Sequence, residues 1–376
     1  MTAFTFWGSV AGILYIGLGY PALIWLCARL RPRPVSKGEM RAPVSVILIA
    51  HNEAGVLERK IDDLLSSSCE PWIVEILVVS DGSTDETDVV MDRLAGPKVA
   101  YMRFEQHRGK AAALHDAIGR ATGDITVFVD ARQRLDADAI ERLLENFADT
   151  TVGVVSGALE YDEPDSVGGD GAGSRGYWAF ERWLREAESR YWSVPGATGA
   201  LYAVRSDCLT APPPDVVLDD VVIPMQAVVS GYRCIVEPTA RVRDRVGDDE
   251  RREYARKRRT LAGCVQLVRR YPRWMIPGEN PIWWQYTSHK VLRLFTPFLI
   301  LAAFISACFL DQPLYRITVI VFVVFVGLGC LGMLARRIGF AARWLQAPVL
   351  FVTFNGVILL GLLDGIRGRY DSAWRE

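Results

Sequence analysis

The sequence predicts an α/β domain with an open, doubly wound sheet, framed by apolar helices long enough to cross a membrane. Short apolar runs alternate with amphipathic stretches from Val44 onward, a pattern typical of parallel strands joined by helices. Acidic residues stand at the ends of three such runs, at Asp81, Asp130 and the pair Asp219-Asp220. Uncharged segments of about 20 residues, the length that a bilayer requires, flank the whole region.

Composition limits the classes of protein to consider. The 376 residues suffice for one α/β domain and several membrane helices. Because 43 Lys and Arg oppose 44 Asp and Glu, the net charge is -1 and no nucleic-acid partner is expected. The seven cysteines form no C-x-x-C pair, so we expect a reducing cytoplasm and no disulfide framework.

Membrane helices are predicted at residues 1–28, 291–310, 316–335 and 344–363. A cleaved signal peptide is disfavoured for the first, because the run is long and lacks a basic start. Basic residues follow the first helix, and Arg336, Arg337 and Arg343 separate the last two; the positive-inside rule places both sets in the cytoplasm. The α/β domain would then be cytoplasmic, with the amino terminus and carboxyl tail outside; a re-entrant last segment is the alternative.

The remaining regions follow from these spans. We expect a basic linker at 29–43, the α/β domain at 44–263, a Trp-rich interfacial segment at 264–290 and a tail at 364–376. The expected strands are VSVILIA, EILVVSDGST, VAYMRF, ITVFVDA, VGVVSGALEY, ALYAVRS and GYRCIVEP.

Six segments in order carry a specific resemblance: SVILIAHNE, ILVVSDGSTDET, RGKAAALHDAI, DITVFVDA, ATGALYAVR and LDDVVIPMQAVVSGYR. Together, over roughly residues 44–263, they resemble the inverting family 2 glycosyltransferases of GT-A fold. The membrane frame is similar to that of bacterial polysaccharide synthases and glycolipid-forming transferases. The resemblance implies a Rossmann-like GT-A domain, a nucleotide-sugar donor (a UDP-sugar), a lipid or glycan acceptor and a bacterial inner membrane. A dinucleotide-binding oxidoreductase is disfavoured because no G-x-G-x-x-G follows the first strand.

The resemblance assigns donor binding to Asn52, Glu53, Asp81, Lys110, Asp130, Arg132, Arg256 and Arg259. Asn52 and Glu53 would help hold the base, with a helix cap as the alternative role. Asp81 would accept hydrogen bonds from the uracil or ribose. Lys110 follows Gly109 at a helix start, where backbone N–H groups and an ammonium suit a phosphate.

The middle acidic motif departs from the family pattern. The family's D-x-D holds Mg²⁺ or Mn²⁺, which balances the charge of the donor diphosphate. Here the motif reads Asp130-Ala131-Arg132. We expect Asp130 to hold the metal together with the diphosphate and water; in the alternative, Arg132 supplies part of the cationic charge.

The pair Asp219-Asp220 aligns with the acidic pair of the family, so we expect Asp220 to be the general base and Asp219 to orient it. The alternative is that both residues cap the following helix. Gly196, Thr198 and Gly199 match the loop that presents the acceptor.

The family's Q-x-x-R-W aligns with residues 256–260, which places Arg259 on the diphosphate, Arg256 at the Gln and Thr260 at the Trp. A basic membrane-surface helix is the alternative. Because that Trp is a stacking floor for an acceptor sugar, its loss favours single addition. A processive polysaccharide synthase and a catalytically degenerate assembly or export subunit remain alternatives, and a homo-oligomer or export partner is possible.

Overall fold

The computed structural model describes residues 1–162, 171–245, 250–338 and 342–370. Within these ranges, strands form one eight-stranded sheet of order β3-β2-β1-β4-β7-β6-β8-β5. In chain order the strands are β1 (Val44–Ala50), β2 (Ile73–Asp81), β3 (Val99–Phe104), β4 (Ile125–Asp130), β5 (Arg134–Leu135), β6 (Val152–Asp162), β7 (Leu201–Arg205) and β8 (Arg233–Arg245).

The α-helices of the same ranges surround the sheet and form the apolar frame. They are α1 (Thr2–Leu14), α2 (Tyr20–Leu30), α3 (Ala54–Leu65), α4 (Thr87–Leu94), α5 (Lys110–Ile118), α6 (Ala139–Leu144), α7 (Gly171–Tyr191), α8 (Asp219–Val229), α9 (Glu250–Arg270), α10 (Trp283–Gln285), α11 (Thr296–Cys308), α12 (Pro313–Arg337) and α13 (Gln346–Ile366). A π-helical turn joins α1 to α2, and another, Tyr286–Val291, follows α10.

Strand direction divides the sheet into two parts. Strands β1 to β4 pair in parallel, as the sequence predicted. The expectation of a wholly parallel sheet is wrong beyond β4, because β7 runs antiparallel to both β4 and β6. The buried apolar run of β7 has the same pattern in either direction, so the pattern does not reveal which way the strand runs.

Both faces of the sheet are covered, which explains the continuous apolar strands. Leu48 of β1 enters a core cluster with Leu57 of α3, whereas its neighbour Ile47 enters a second cluster with Leu114 of α5 and Val222 of α8. Successive strand residues point to opposite faces, so each strand contributes to both clusters. The helices cover the two faces of the sheet, whereas the carboxyl ends of β1, β2 and β4 remain accessible at one edge.

Four helical segments of the described residues are long and apolar enough to cross a membrane: Thr2–Leu30, Trp283–Cys308, Pro313–Arg336 and Arg343–Ile366. They overlap the four predicted spans. The second begins at Trp283 because the π-helical turn continues α10 towards α11. The predicted domain boundary between residues 263 and 264 lies inside α9, which continues to Arg270.

The ends of the apolar helices define their arrangement. The Phe6 and Tyr315 ring centroids are 4.9 Å apart, so the start of α12 lies beside the start of α1. At the other end, Asp364 near the end of α13 accepts hydrogen bonds from Arg258 of α9. The end of α13 therefore lies on the side of the α/β domain. Residues 371–376 of the predicted tail lie outside the described ranges, and the side of the membrane on which the tail lies stays a prediction.

Candidate active site

A cleft opens at the carboxyl edge of β1, β2 and β4. Its walls are the residues that end these strands and the start of α5, namely Ile49, His51, Glu53, Asp81, Lys110, Asp130, Ala131, Arg132 and Gln133. The ends of neighbouring parallel strands diverge above an open sheet, so this edge is where such folds hold ligands. Five of the eight residues assigned to the donor lie in this cleft.

Asp81 fixes the turn in which α5 begins. Its carboxylate is 1% exposed and accepts the backbone N–H groups of Arg108, at 2.9 Å, and Gly109, at 2.7 Å. Gly82 has φ +65°, and a Cβ there would lie 2.3 Å from the His107 nitrogen. Asp81 therefore holds the 107–109 turn, and its contact with uracil or ribose stays a prediction.

Two histidines that the sequence analysis missed lie beside Asp81. The rings of His51 and His107 stack with centroids 4.0 Å apart. Their Nδ1 atoms lie 2.8 Å and 3.0 Å, respectively, from the Asp81 carbonyl oxygen. Their positions in the sequence could have identified them, because His51 immediately precedes Asn52-Glu53 and His107 precedes the Arg-Gly-Lys turn.

Asn52 and Glu53 connect the end of β1 to its neighbours. Asn52 adopts φ 54°, and its Oδ1 accepts the N–H of Thr84 at 2.8 Å, which ties β1 to the turn after β2. The buried Glu53 accepts Arg132 Nε at 2.6 Å and makes no side-chain cap bond to α3, although it occupies the N-cap position. The helix-cap alternative is thus wrong for the Glu53 side chain. Burial raises the pKa of Glu53, an effect that Arg132 opposes.

Lys110 connects the middle and last acidic motifs. Its Nζ lies 2.7 Å from Asp130 Oδ1 and 3.9 Å from Asp219 Oδ2. Burial opposes the charge of Lys110, but Asp130 and Asp219 raise its pKa. Burial also raises the pKa of Asp219 to about 6; Lys110 opposes this shift, and Asp220 and Asp130 add to it. The carboxylates of Asp130, Asp219 and Asp220 therefore all act on the Lys110 ammonium. Because three negative charges oppose one positive charge, this wall of the cleft is anionic.

The side chains that line the cleft allow a metal ion to be bound jointly by the protein and a substrate. Among the described residues, no group of three or more His, Cys, Asp or Glu side chains is arranged to hold a metal ion. Asp130 contributes one carboxylate, and Asp219 Oδ2 is buried without a hydrogen-bond partner. Mg²⁺ is commonly held by one or two carboxylates together with substrate phosphates and water. The residues fit that arrangement, with Asp130 as the protein ligand.

Asp220 lies against the loop that was assigned to the acceptor. Its carbonyl oxygen accepts the N–H of Ala197 at 2.7 Å. A Cβ on Gly199 would lie 3.4 Å from Asp220 Oδ2, and Gly196 adopts φ +126°. Asp219 and Asp220 form the first turn of α8, where the helix dipole favours carboxylates. The structure thus brings loop 196–199 and the acidic pair together.

Helix α7 and strand β6 support this loop from behind. Ser156 Oγ accepts the N–H of Thr198 at 2.9 Å, and Arg185 donates to the Gly196 carbonyl and to Ser156 Oγ, both at 3.1 Å. Arg185 and Ser156 were not among the predicted site residues. No motif marked them: Ser156 is 42 residues from Thr198 in sequence, and Arg185 reaches the loop only because α7 packs behind it.

Two of the arginines assigned to donor binding do not line this cleft. Arg256 and Arg259 are on α9, and neither belongs to the residues that line the described cleft. Arg256 lies near Tyr161, where burial raises the pKa of the phenol and Arg256 lowers it. Residues 246–249, which precede α9, lie outside the described ranges. Donor binding by Arg256 and Arg259 stays a prediction.

A mixed sheet with acidic residues at the carboxyl edge of its parallel half is an arrangement of the GT-A class of folds. Residues 45–209 match the family model described as Glycosyl transferase family 2. This part of the chain, somewhat less than half of it, is thus similar to the family 2 glycosyltransferases.

Similar proteins cover different parts of the chain. The uncharacterized glycosyltransferase YaiP of Escherichia coli is 30% identical over 39% of this chain and 37% of its own length. A poly-β-1,6-N-acetyl-D-glucosamine synthase of Staphylococcus aureus is 23% identical over 52% of this chain and 48% of its own. The chain thus spans less than half the length of these two curated relatives.

One solved structure covers nearly the whole chain. A mannosyltransferase from Pyrobaculum calidifontis, in complex with GDP-Man and Mn²⁺, aligns with a TM-score of 0.71 at 23% identity. The alignment covers 95% of this chain and 97% of the other. The likeness supports the GT-A fold and extends through the apolar frame.

Proposed function

We propose that the protein is an inverting glycosyltransferase that moves a sugar from a nucleotide-sugar donor to a membrane-associated lipid or glycan acceptor. One observation carries the proposal. Lys110 connects Asp130 in the donor cleft to Asp219, while the adjacent Asp220 contacts loop 196–199. A donor diphosphate at Lys110 and an acceptor at the loop would meet beside Asp220.

The proposed chemistry is an in-line displacement. Asp220 accepts the proton of the acceptor hydroxyl as its oxygen bonds to the anomeric carbon. The bond from that carbon to the diphosphate oxygen breaks on the opposite face, so the configuration inverts. Lys110 and the start of α5 stabilise the charge of the leaving nucleoside diphosphate. A bound Mg²⁺ or Mn²⁺ held by Asp130 would add positive charge at the same place.

The donor base is proposed from position. The resemblance assigns Asp81 to the uracil or ribose, and Asp81 lines the cleft, so a UDP-sugar is the proposed donor. The structural neighbour was solved with GDP-Man, which makes GDP-mannose the second donor to test. Nucleotide release from matched UDP- and GDP-sugars would distinguish the two.

Single addition is proposed over processive synthesis because Thr260 stands where the resemblance places the stacking Trp. A specific observation favours the alternative, since S. aureus relatives are named as a polysaccharide synthase. Product length from radiolabelled donor in purified membranes separates the two. Sustained transfer of either kind would exclude a degenerate assembly or export subunit.

The central test is Asp220→Asn. The amide cannot accept the hydroxyl proton as a base, so transfer should fall by roughly 10²–10⁴-fold, the usual effect of general base catalysis. Donor binding, measured by calorimetry in detergent, should remain near the wild-type value because Asp220 is proposed to contact the acceptor.

The matched control is Asp92→Asn, which removes an exposed carboxylate from α4. It should transfer like the wild type. If Asp220→Asn also did so, Asp220 would not be the base and the proposed mechanism would fail.

Metal removal tests the role of Asp130. We expect rigorous chelation to lower transfer at least tenfold, because the diphosphate would lose the cation that it shares with Asp130. Adding back Mg²⁺ or Mn²⁺ should restore it. Equal activity in chelated and metal-supplied buffer would favour the alternative, in which Arg132 supplies the positive charge.

A further inference from the structure

Helix α9 lies between two parts of the molecule that are distant in sequence. One of its faces packs against α13, the last apolar helix. Another contacts residues 215–218, which lead directly into Asp219 and Asp220. A change in the position of α9 would therefore reach the proposed base from the membrane frame.

An ion pair fixes the first contact. The Arg258 guanidinium binds both carboxylate oxygens of Asp364, with 2.9 Å between Nη2 and Oδ1. Arg269, three turns further along α9, donates to the carbonyl oxygens of Gly365 at 3.2 Å and Ile366 at 3.0 Å. A two-point arginine–carboxylate contact sets orientation as well as attraction. These contacts therefore resist rotation of α9 about its axis.

Two glycines bring the helix backbones close together. A Cβ on Gly361 would lie 2.6 Å from Leu261 Cβ, and one on Gly365 would lie 2.5 Å from Val265 Cβ. Residues four apart lie on the same helix face, and small residues at this spacing permit close approach. The short distance between α9 and α13 thus depends on the absence of side chains at Gly361 and Gly365.

A different face of α9 contacts the segment that leads into the acidic pair. Gln266 Oε1 accepts the N–H of Val217 at 3.0 Å, and its Nε2 donates to the Asp215 carbonyl at 2.8 Å. A Cβ on Gly263 would lie 2.8 Å from Leu218 Cγ. Since Leu218 directly precedes Asp219, α9 holds the backbone that enters α8.

We propose that Asp364 is a positioning residue for the transfer reaction, acting through Arg258 and α9 on the placement of Asp220. The inference rests on the proposed function of Asp220. Asp364 lies in the last apolar helix and does not contact the cleft, so its effect depends on the packing of α9. A displacement of about 1 Å in a reacting group can cost on the order of 100-fold in rate.

The first test is Asp364→Asn, which removes the charge from the ion pair. We expect the transfer kcat to fall by about 10- to 100-fold, while the donor KM changes little, because Asp220 acts in the transition state. Asp364→Glu, which keeps the carboxylate, should recover part of the loss. Asp311→Asn is the control, since Asp311 also pairs with an arginine but lies exposed between α11 and α12.

The second test uses packing alone. Gly365→Ala should lower kcat in the same way, because the added methyl group forces α9 away from α13. Gly356→Ala is the matched control on the same helix, since a Cβ there would meet no atom within 4 Å. Thermal midpoints in detergent would show whether each variant remains folded.

A third readout does not depend on transfer. Cys264 lies on α9 in a pocket with Tyr286 and Lys290. In a background without other cysteines, displacement of α9 should raise its maleimide labelling rate severalfold in Asp364→Asn and Gly365→Ala. Unchanged labelling in both variants would overturn the positioning role, even if the wild type transferred no sugar. Absence of transfer from every nucleotide-sugar by the wild type, with faster labelling in the variants, would overturn the proposed function alone.

Discussion

Asp219 shows how the site controls the charge of a single residue. Burial raises its pKa from 3.8 to about 6, and Lys110 opposes the shift. A folded pKa above the unfolded value stabilises the protein at low pH, and this contribution is lost as the pH rises through about 6. Ionisation of Asp219 therefore lowers the free energy of unfolding as the pH rises through about 6.

The transfer rate should follow this ionisation. We expect kcat to rise between about pH 5 and pH 7 with an apparent pKa near that of Asp219, because the ionised carboxylate orients the acidic pair and Lys110. In Asp219→Asn this limb should disappear. A pH profile of kcat at saturating donor measures the effect, and a flat wild-type profile over the same range would contradict it.

At the residue scale, the sequence predicted residues that follow strand ends and missed residues that arrive through packing. Asp130 and Lys110 were predicted to lie in one site and are in contact, because strand ends converge at one edge. Arg185 was missed because its contact with Gly196 depends on how α7 lies behind the loop. Arg132 lines the cleft as predicted, where its guanidinium contacts Glu53, and its contact with the donor stays a prediction.

The turn after β2 determines the donor cleft at the scale of an element. Gly82 lets the chain pass within contact distance of the 107–109 turn, whose N–H groups bind Asp81. The positive φ of Gly82 and the close approach both exclude a side chain.

Gly82→Ala should therefore weaken nucleotide binding by at least about tenfold, because the methyl group displaces the turn that carries Lys110. Gly96→Ala is the control, since its nearest neighbour lies 4.0 Å from the added Cβ. Calorimetry with UDP and GDP measures the change. Equal affinity in the two variants would show that the 107–109 turn does not form the nucleotide site.

Element types followed from hydrophobic periodicity, whereas strand direction and helix continuity did not. The apolar runs of β1, β2 and β4 are long and uninterrupted, and their pattern identified buried strands. The direction of β7 depends on the path of the preceding connection. The second apolar span begins earlier than its uncharged core because His289 and Lys290 lie inside a continuous helical segment.

At the scale of the molecule, the contact between α13 and α9 limits how the chain crosses the membrane. The start of α12 lies beside the start of α1, away from the α/β domain, whereas α13 ends against that domain. We therefore expect α12 and α13 together to make an odd number of crossings. Phe351 of α13 packs against Phe322 and Phe325 of α12.

Cysteine labelling in sealed vesicles tests this arrangement. In a background without other cysteines, Arg369→Cys should label from the same side as Glu58→Cys on α3. Asp311→Cys, between α11 and α12, should label from the opposite side. An impermeant maleimide measures the sidedness, and matching behaviour of residues 369 and 311 would require four complete crossings.

A buried polar cluster joins the α/β domain to the apolar helices. Glu188 of α7 accepts a hydrogen bond from Tyr20 of α2 and lies 2.9 Å from His289 Nδ1, and His289 Nε2 lies 2.6 Å from Glu181. These contacts join α7 to both apolar segments that enter the membrane beside it. In the proposed reaction, this junction would hold Asp220 at a constant height relative to the apolar helices. Each sugar added to an anchored acceptor would carry its next hydroxyl beyond that height, which favours a short product.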